Sequence, residues 1–245
     1  MISILSNMKQ KLRLFYEHHW EDFHFSRSKE WKTLSKWFDF GNKDKTCDIA
    51  CGKGFFTRKT AKIGGIVYGI DSDKSEIKKA QKYNKVINNR FLIANAEKLP
   101  FKSRIFDNLI SISALEHFNN DKKALDEMSR ILKSDHNLFM TVDSLSHRSI
   151  KPDYKKIHAK KYHVINFYNL DDLKKKTVNK FILEKSKYIL NSKVSAFFEK
   201  LHFKLGLSGL PLLFYFVSYP FSFISDYFFG NPNEGCSLAV KLKRK

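Results

Sequence analysis

The chain has 245 residues, enough for one sizeable α/β domain with additions but tight for two full domains. Three cysteines exclude a disulfide framework, and no His/Cys spacing resembles a zinc site, so no metal is expected. The net charge of +20 predicts attraction to anionic surfaces such as nucleic acid, phosphorylated substrates or acidic lipid headgroups.

The apolar stretch Met1 to Leu5 is too short for a signal peptide, and a reducing, cytoplasmic setting is expected. Residues 8–38 mix Lys, Glu, His and aromatics at roughly helical spacing, with Leu12, Phe15 and Tyr16 on one face, and predict one or two helices. From Thr46 the pattern alternates. Thr46 to Ala50 reads as a strand, Gly52-Lys-Gly54 as a tight turn and Phe55 to Lys62 as a helix. Ile66 to Ile70 is a second strand ending at Asp71, and Ser75 to Val86 a helix. Phe91 to Ala94 and Phe106 to Ile112 are strands, Lys122 to Leu132 a helix, and Asn137 to Val142 a fifth strand. Such alternation implies βαβ units and a parallel sheet covered on both faces. After Asp143, residues Ser144 to Asn169 read as a basic, His-containing connection and Leu170 to Lys176 as a short helix. Phe181 to Leu190 is a sixth strand, Leu205 to Phe229 an unusually apolar run, and Cys236 to Leu242 a last strand.

The turn after the first strand carries the chemistry. Glycines let a ligand approach the backbone closely, and the following helix N-terminus offers unpaired N–H groups. Gly52-Lys-Gly-Phe-Phe-Thr57 lacks the third glycine of a dinucleotide fingerprint. Asp71 ends the next strand near the spacing at which a carboxylate accepts from ribose hydroxyls. Then follow Asn95-Ala-Glu-Lys-Leu-Pro-Phe101, Phe106-Asp-Asn-Leu-Ile110, Ala114-Leu-Glu-His117 and Arg130-Ile-Leu-Lys133.

This ordered series, over roughly residues 45–143, resembles the class I S-adenosylmethionine-dependent methyltransferase family, especially its small-molecule branch. The resemblance implies an α/β, Rossmann-like fold with a mostly parallel seven-stranded sheet and an apolar helical insertion before the last strand. It divides the chain into a helical lid over 1–40, a methyltransferase domain over 41–190 and 236–245, and an insertion over 191–235. It implies S-adenosyl-L-methionine as cofactor. Asp48, Ala50, Cys51, Gly52 and Gly54 would form the loop beside the methionine moiety. Asp71, with Ser72 beside it, would bind the ribose. Asn95 and Ala96 would contact adenine, and Ser113 would lie along the methionyl side. Three positions depart from the family pattern: Ala50 for glycine, Asn95 for aspartate, and Ser134-Asp-His-Asn137 for a Pro-Gly-Gly turn. Plainer roles stand beside these: Asp48 capping the turn, Asp71 capping the next helix, and Asn95 as a turn residue.

An activated sulfonium needs no covalent nucleophile; the acceptor must be placed in line, about 3–3.5 Å from the methyl carbon. A base helps only a poorly nucleophilic acceptor. His117 is the candidate, with Glu116 beside it, against the plainer reading of a helix-start histidine. The cluster Tyr16, His18, His19, Trp20 and Phe23 reads either as a lid or as ordinary helix packing. Arg27 is a candidate partner for the cofactor carboxylate. The Asn/Asp-Pro-Pro-Tyr/Phe tetrapeptide of amino-group DNA or glutamine methyltransferases is absent; Ser111-Ile-Ser-Ala114 stands there.

Leu205 to Phe229 is long enough to span a bilayer, but Pro211, Pro220 and Asp226 weaken a span, and the last strand must return to the sheet. An interfacial or re-entrant helical hairpin, or a buried cap, fits better. The connection after the fifth strand carries Arg148, Lys151, Lys155, Lys156, Lys160 and Lys161 and is expected at the same mouth. An apolar flap with a cationic rim suits a lipophilic or membrane-linked acceptor with an anionic head, methylated by a cytoplasmic protein peripheral on the inner face of the membrane. The alternatives are an RNA methyltransferase, suggested by the charge, and a non-catalytic cofactor-binding protein. Equally, the lysines can be a solvated face and the apolar run a dimer interface.

Overall fold

The computed structural model describes residues 25–84, 88–205 and 211–245. In chain order, α1 (Phe25–Ser35) precedes β1 (Lys45–Ile49), α2 (Phe55–Ala61), β2 (Ile66–Asp71), α3 (Lys74–Tyr83), β3 (Asn89–Ile93) and β4 (Phe106–Ile112). After a single 3-10 turn at Leu115–His117 come α4 (Asp121–Ile131), β5 (Leu132–Asp143), α5 (Pro152–Tyr162) and α6 (Leu170–Thr177). Then follow β6 (Phe181–Ile189), α7 (Lys193–Leu205), α8 (Pro211–Phe229) and β7 (Ser237–Arg244).

The seven strands make one sheet in the order β3-β2-β1-β4-β5-β7-β6. The pairs from β3 through β5 are parallel, whereas β7 runs antiparallel to both β5 and β6. β6 therefore points the same way as β5, and the chain entering the α7–α8 insertion leaves from the edge where the parallel strands end. Both faces of the sheet are buried, because successive strand residues point to opposite sides. Leu109, Leu138, Met140 and Val240 pack on one face with Leu125 and Met128 of α4. Ile110, Phe139 and Ala239 pack on the other with Leu34 of α1 and Phe55 and Phe56 of α2.

Local chemistry fixes the helix starts. Asp73 accepts from the backbone N–H of Ser75 and Glu76 to cap α3, Asn120 from that of Lys123 for α4, and Asn169 from that of Asp172 for α6. The helix cap at Asp73 overturns the plainer reading of Asp71. Two segments differ from sequence expectation. Ser134-Asp-His-Asn137 is no separate turn; β5 begins at Leu132 and carries these residues through a register shift against Phe106 and Asn108. Asp135 takes φ 63°, and Lys133 and Lys243 reach Asp107 and Asp135 at 2.6 and 3.2 Å. The connection Ser144 to Asn169 is not all loop but contains α5, whose signal was Pro152 in its first turn rather than an apolar stripe; His158 is its buried residue. The lid candidates Leu12, Phe15, Tyr16, His18, His19, Trp20 and Phe23 lie outside the described residues.

The apolar run resolves into the second helix of the α7–α8 pair, with its one charge turned to use. Asp226 meets Lys29 of α1 at 2.5 Å and accepts from the Ser192 and Ser195 hydroxyls at 2.7 and 2.6 Å. Lys29 is only 5% exposed, and burial lowers its ammonium below the usual lysine range. One carboxylate thus ties α8 to α1 and to the start of α7. Asp226→Ala should destabilise the protein by about 3–5 kcal/mol, because Lys29 would be left buried without its counter-charge. Urea unfolding checks this, and a Lys29→Met/Asp226→Leu double variant should recover part of the loss.

Candidate active site

The turn after β1 is built on left-handed backbone. Ala50, Gly52 and Gly54 take φ 59°, 52° and 79°. Such values are nearly free for glycine but cost an alanine about 1–2 kcal/mol. The glycine the family prefers at position 50 thus has a steric reason, and this chain accepts the strain. The two remaining glycines have different duties. A Cβ on Gly54 would lie 2.7 Å from the Phe91 ring, so this glycine lets α2 approach β3. A Cβ on Gly52 would meet nothing within 4 Å, so the turn presents a bare backbone face to open space. Gly52 donates its N–H to Asp71 at 2.8 Å, and Asp48 accepts from Thr57 Oγ1 at 2.5 Å, which fastens β1 to α2. Asp48 is 1% exposed and acts on the loop from behind. Cys51 is also buried, its N–H spent on the Ile70 carbonyl, and burial pushes its thiol well up.

Two cavities open above the strand ends. The smaller, about 150 Å³, is lined by Ala50, Asp71, Ser72, Asn95 and Ala96, together with Ala94, Glu97, His117, Phe118 and Asn119. Six of the residues singled out from sequence, His117 among them, therefore meet around one space. Asn95 also serves its own turn, accepting from Glu97 N–H at 2.8 Å. The loop behind it is clamped by Arg130, whose guanidinium donates to the carbonyls of Leu99 and Phe101 at 3.1 and 2.7 Å and pairs with Glu127. That contact gives the distant Leu-Pro-Phe and Arg-Ile-Leu-Lys segments one shared structural duty.

The larger cavity, about 330 Å³, lies under α1, α5 and α7. Ser113 is on its wall rather than that of the smaller space, as are Arg27, Glu30, Glu116, Asp143, His158, Tyr162, Glu199 and His202. Ser113, at φ 45°, donates its hydroxyl to Glu30 at 2.7 Å, and Arg27 pairs with the same carboxylate at 3.2 Å. His117 lines both cavities. Its Nδ1 lies 3.2 Å from the His163 carbonyl, which can only accept, so the neutral ring carries its proton on Nδ1 and keeps a lone pair on Nε2. Sequence reading missed Glu30, Asp143, His158 and Glu199, which come from four separate elements and share no spacing. The wall they make is acidic, opposite in sign to the cationic rim expected from the lysines of the α5 region.

Comparison with known proteins places this geometry. The methyltransferase domain family matches residues 47–140. A ubiquinone/menaquinone biosynthesis C-methyltransferase from Wigglesworthia glossinidia brevipalpis is 32% identical over 42% of this chain and 44% of its own. A malonyl-[acyl-carrier protein] O-methyltransferase from Buchnera aphidicola is 29% identical over 54% of this chain and 53% of its own. The chain thus spans about half the length of these curated relatives. Geranyl diphosphate C-methyltransferase from Streptomyces coelicolor A3(2), solved with S-adenosyl-L-homocysteine, has the same fold at a TM-score of 0.68 and 13% identity, over 89% of this chain and 79% of its own. Residues 47–140 match a methyltransferase domain, and the sheet that carries them, completed by β6 and β7, has the fold of that solved methyltransferase.

Gly52→Val should abolish binding of S-adenosylhomocysteine and lower stability as well, since its side chain would enter open space from a backbone at φ 52° that a branched residue strains; a thermal melt reports the second effect. Asp71→Ala should weaken binding by about 1–3 kcal/mol, the scale of charge-assisted hydrogen bonds. Calorimetry checks both; wild-type affinity in the two variants would move the site elsewhere.

Proposed function

We propose that this protein transfers a methyl group from S-adenosylmethionine to a small, lipophilic acceptor held in the larger cavity. The observation that carries this reading is the meeting of two cavities at His117, beside a turn whose backbone is bare and above the ends of parallel strands, where open α/β sheets bind ligands. In this reading Asp71 and Ser72 hold the ribose, Asn95 and Ala96 face the adenine, and Gly52 lets the methionyl part lie on the turn. Ser113 and Arg27 meet its far end. The cofactor, when bound, supplies a methyl group on a sulfonium. What the chain must add is placement of the acceptor and, for an acceptor that carries a proton, a group to take it. His117 lines both spaces and keeps its Nε2 lone pair, which suits it to that task.

The acceptor's lipophilic character is supported by α8 and by relatives named for quinone biosynthesis and for an acyl-carrier protein. Phe216, Phe221, Tyr227, Phe228 and Phe229 of α8 are all more than 60% exposed, Phe229 at 79%. Burying one such side chain is worth about 1.5–3 kcal/mol, so water is a poor final environment for this face. Among the described residues no helix is long and apolar enough to cross a membrane. The face therefore suits a helix lying in the plane of a bilayer surface, helped by the +20 charge. The same charge favours RNA as a second acceptor class.

With methyl-labelled cofactor and cell extract separated into lipid, RNA and aqueous fractions, the label should pass to the lipid fraction. Label confined to RNA would replace this reading with the second one, and no transfer to any fraction would leave a binding protein only. The protein should also float with anionic vesicles at low salt, less so at high salt, since only the charged part of the attraction is screened. Phe221→Ser/Phe228→Ser/Phe229→Ser should release it. A protein that stays with the soluble fraction at low salt has its apolar face covered by something other than lipid.

A further inference from the structure

The larger cavity holds more acid than its hydrogen bonds use. Glu30 is occupied: its carboxylate accepts from Ser113 and Thr141 at 2.7 and 3.1 Å and pairs with Arg27. Asp143 is occupied by His158 Nε2 at 3.0 Å. Glu116 and Glu199 are not. Glu116 is fully buried; one oxygen accepts from the Asp143 N–H at 3.2 Å, and its buried Oε2 has no partner. Glu199 likewise has a buried Oε2 without a partner. His158, 5% exposed, leaves its Nδ1 unpartnered on the same wall. A buried polar group without a partner is costly, and two carboxyls and an imidazole left so around one cavity describe what the cavity lacks. It lacks hydrogen-bond donors carrying positive charge.

We propose that the acceptor presents a protonated primary or secondary amine to Glu116 and Glu199, and that its nitrogen receives the methyl group. This rests on the methyltransferase reading above. An ammonium supplies several N–H donors and one positive charge. An anionic head would face four carboxyl groups with, among the described residues of the wall, Arg27 as the one guanidinium, itself paired with Glu30. A guanidinium would also satisfy the charge, but it holds its proton far more tightly than an ammonium and offers a lone pair far less readily. A quaternary ammonium has no place for a further methyl group.

The reaction balances with groups on the wall. The ammonium first loses one proton to the carboxylate that holds it, which for an amine takes the role given above to His117. The freed lone pair then forms the N–C bond while the electrons of the breaking C–S bond return to sulfur. The products are the N-methylated ammonium, the thioether and one proton held by the protein, later given to water. Burial raises the Glu116 carboxyl well above the ordinary range and Glu199 to about 7, so their carboxylates are stronger bases than exposed ones. Asp143 adds to both shifts, and His158 opposes that of Glu199.

The test uses three probes with one tail: n-octylamine, n-octanol and n-octanoate, titrated calorimetrically into full-length protein saturated with S-adenosylhomocysteine. Octylamine should bind at least about tenfold more tightly than octanol, on the scale of a charge-assisted hydrogen bond, with octanoate weakest. Glu199→Gln and Glu116→Gln should each reduce the preference for octylamine and leave affinity for S-adenosylhomocysteine unchanged, which also reports that each variant is folded. Octanol or octanoate binding as tightly as octylamine to the wild-type protein overturns the inference. So does a preference that survives both substitutions, or a loss of S-adenosylhomocysteine affinity with the preference intact, which would assign the carboxyls to the cofactor. If S-adenosylhomocysteine binds and no probe does, only the amine inference falls. If S-adenosylhomocysteine itself does not bind, the methyltransferase reading falls and takes this inference with it.

Discussion

The hydrogen bond from Gly52 N–H to Asp71 ties the turn after β1 to the end of β2, and most of the molecule's working edge depends on that junction. β1 lies between β2 and β4, so its exit governs what stands over the sheet centre. Left-handed backbone at positions 50, 52 and 54 lets the chain reach α2 at once, and Asp48 fixes the first residues of that helix from below through Thr57. A wider loop would cover the strand ends. The tight one leaves them open, and both cavities occupy the space so preserved. Accepting left-handed strain at Ala50 is consistent with a turn whose shape matters more than its stability.

The second constraint is the return of β7 between β5 and β6. Its antiparallel pairing on both sides forces the α7–α8 insertion to leave and re-enter on the same edge of the sheet. The insertion is bound there by Asp226, which reaches Lys29, and α1 in turn reaches Ser113 and Thr141 through Glu30. The apolar helix, the larger cavity and the loop after β4 are thereby joined through α1. The arrangement also separates charge by place. In a chain with a net charge of +20, two of the described carboxyls with an unpartnered buried oxygen, Glu116 and Glu199, line the space proposed for the acceptor. An outer surface that attracts anions and an inner wall that attracts cations suit an amine delivered from an anionic bilayer.

The parallel half of the sheet was legible because each element has a local signature. The buried run Phe106 to Ile112 and the glycine turn at 52–54 each speak within a few residues, and the ordered motifs between 45 and 143 fall where a methyltransferase domain matches, residues 47–140. The smaller cavity followed, since Ala50, Asp71, Ser72, Asn95 and Ala96 sit directly after successive strands. The larger cavity was legible only in part: Arg27, Ser113, Glu116 and His117 were named from sequence, and the rest of its polar wall was not. Glu30, Asp143, His158 and Glu199 are distributed over α1, β5, α5 and α7, and only the packing of those helices brings them together. α5 itself was hidden because a helix rich in lysine, with His158 as its buried residue, has almost no apolar period to detect. Asp226 read as a flaw in an apolar run. Its purpose depends on Lys29, nearly two hundred residues away, and no local pattern encodes that pair.

The central claim is that the smaller cavity holds the adenosine of the methyl donor and the larger one the acceptor, with His117 between them. A crystal structure of the protein grown with S-adenosylhomocysteine tests it most directly. The account predicts the ribose hydroxyls against Asp71, the adenine beside Asn95 and Ala96, and the sulfur turned toward His117 and the larger cavity. Density for the ligand in the larger cavity alone, or a smaller cavity that stays empty at saturating ligand, would contradict it.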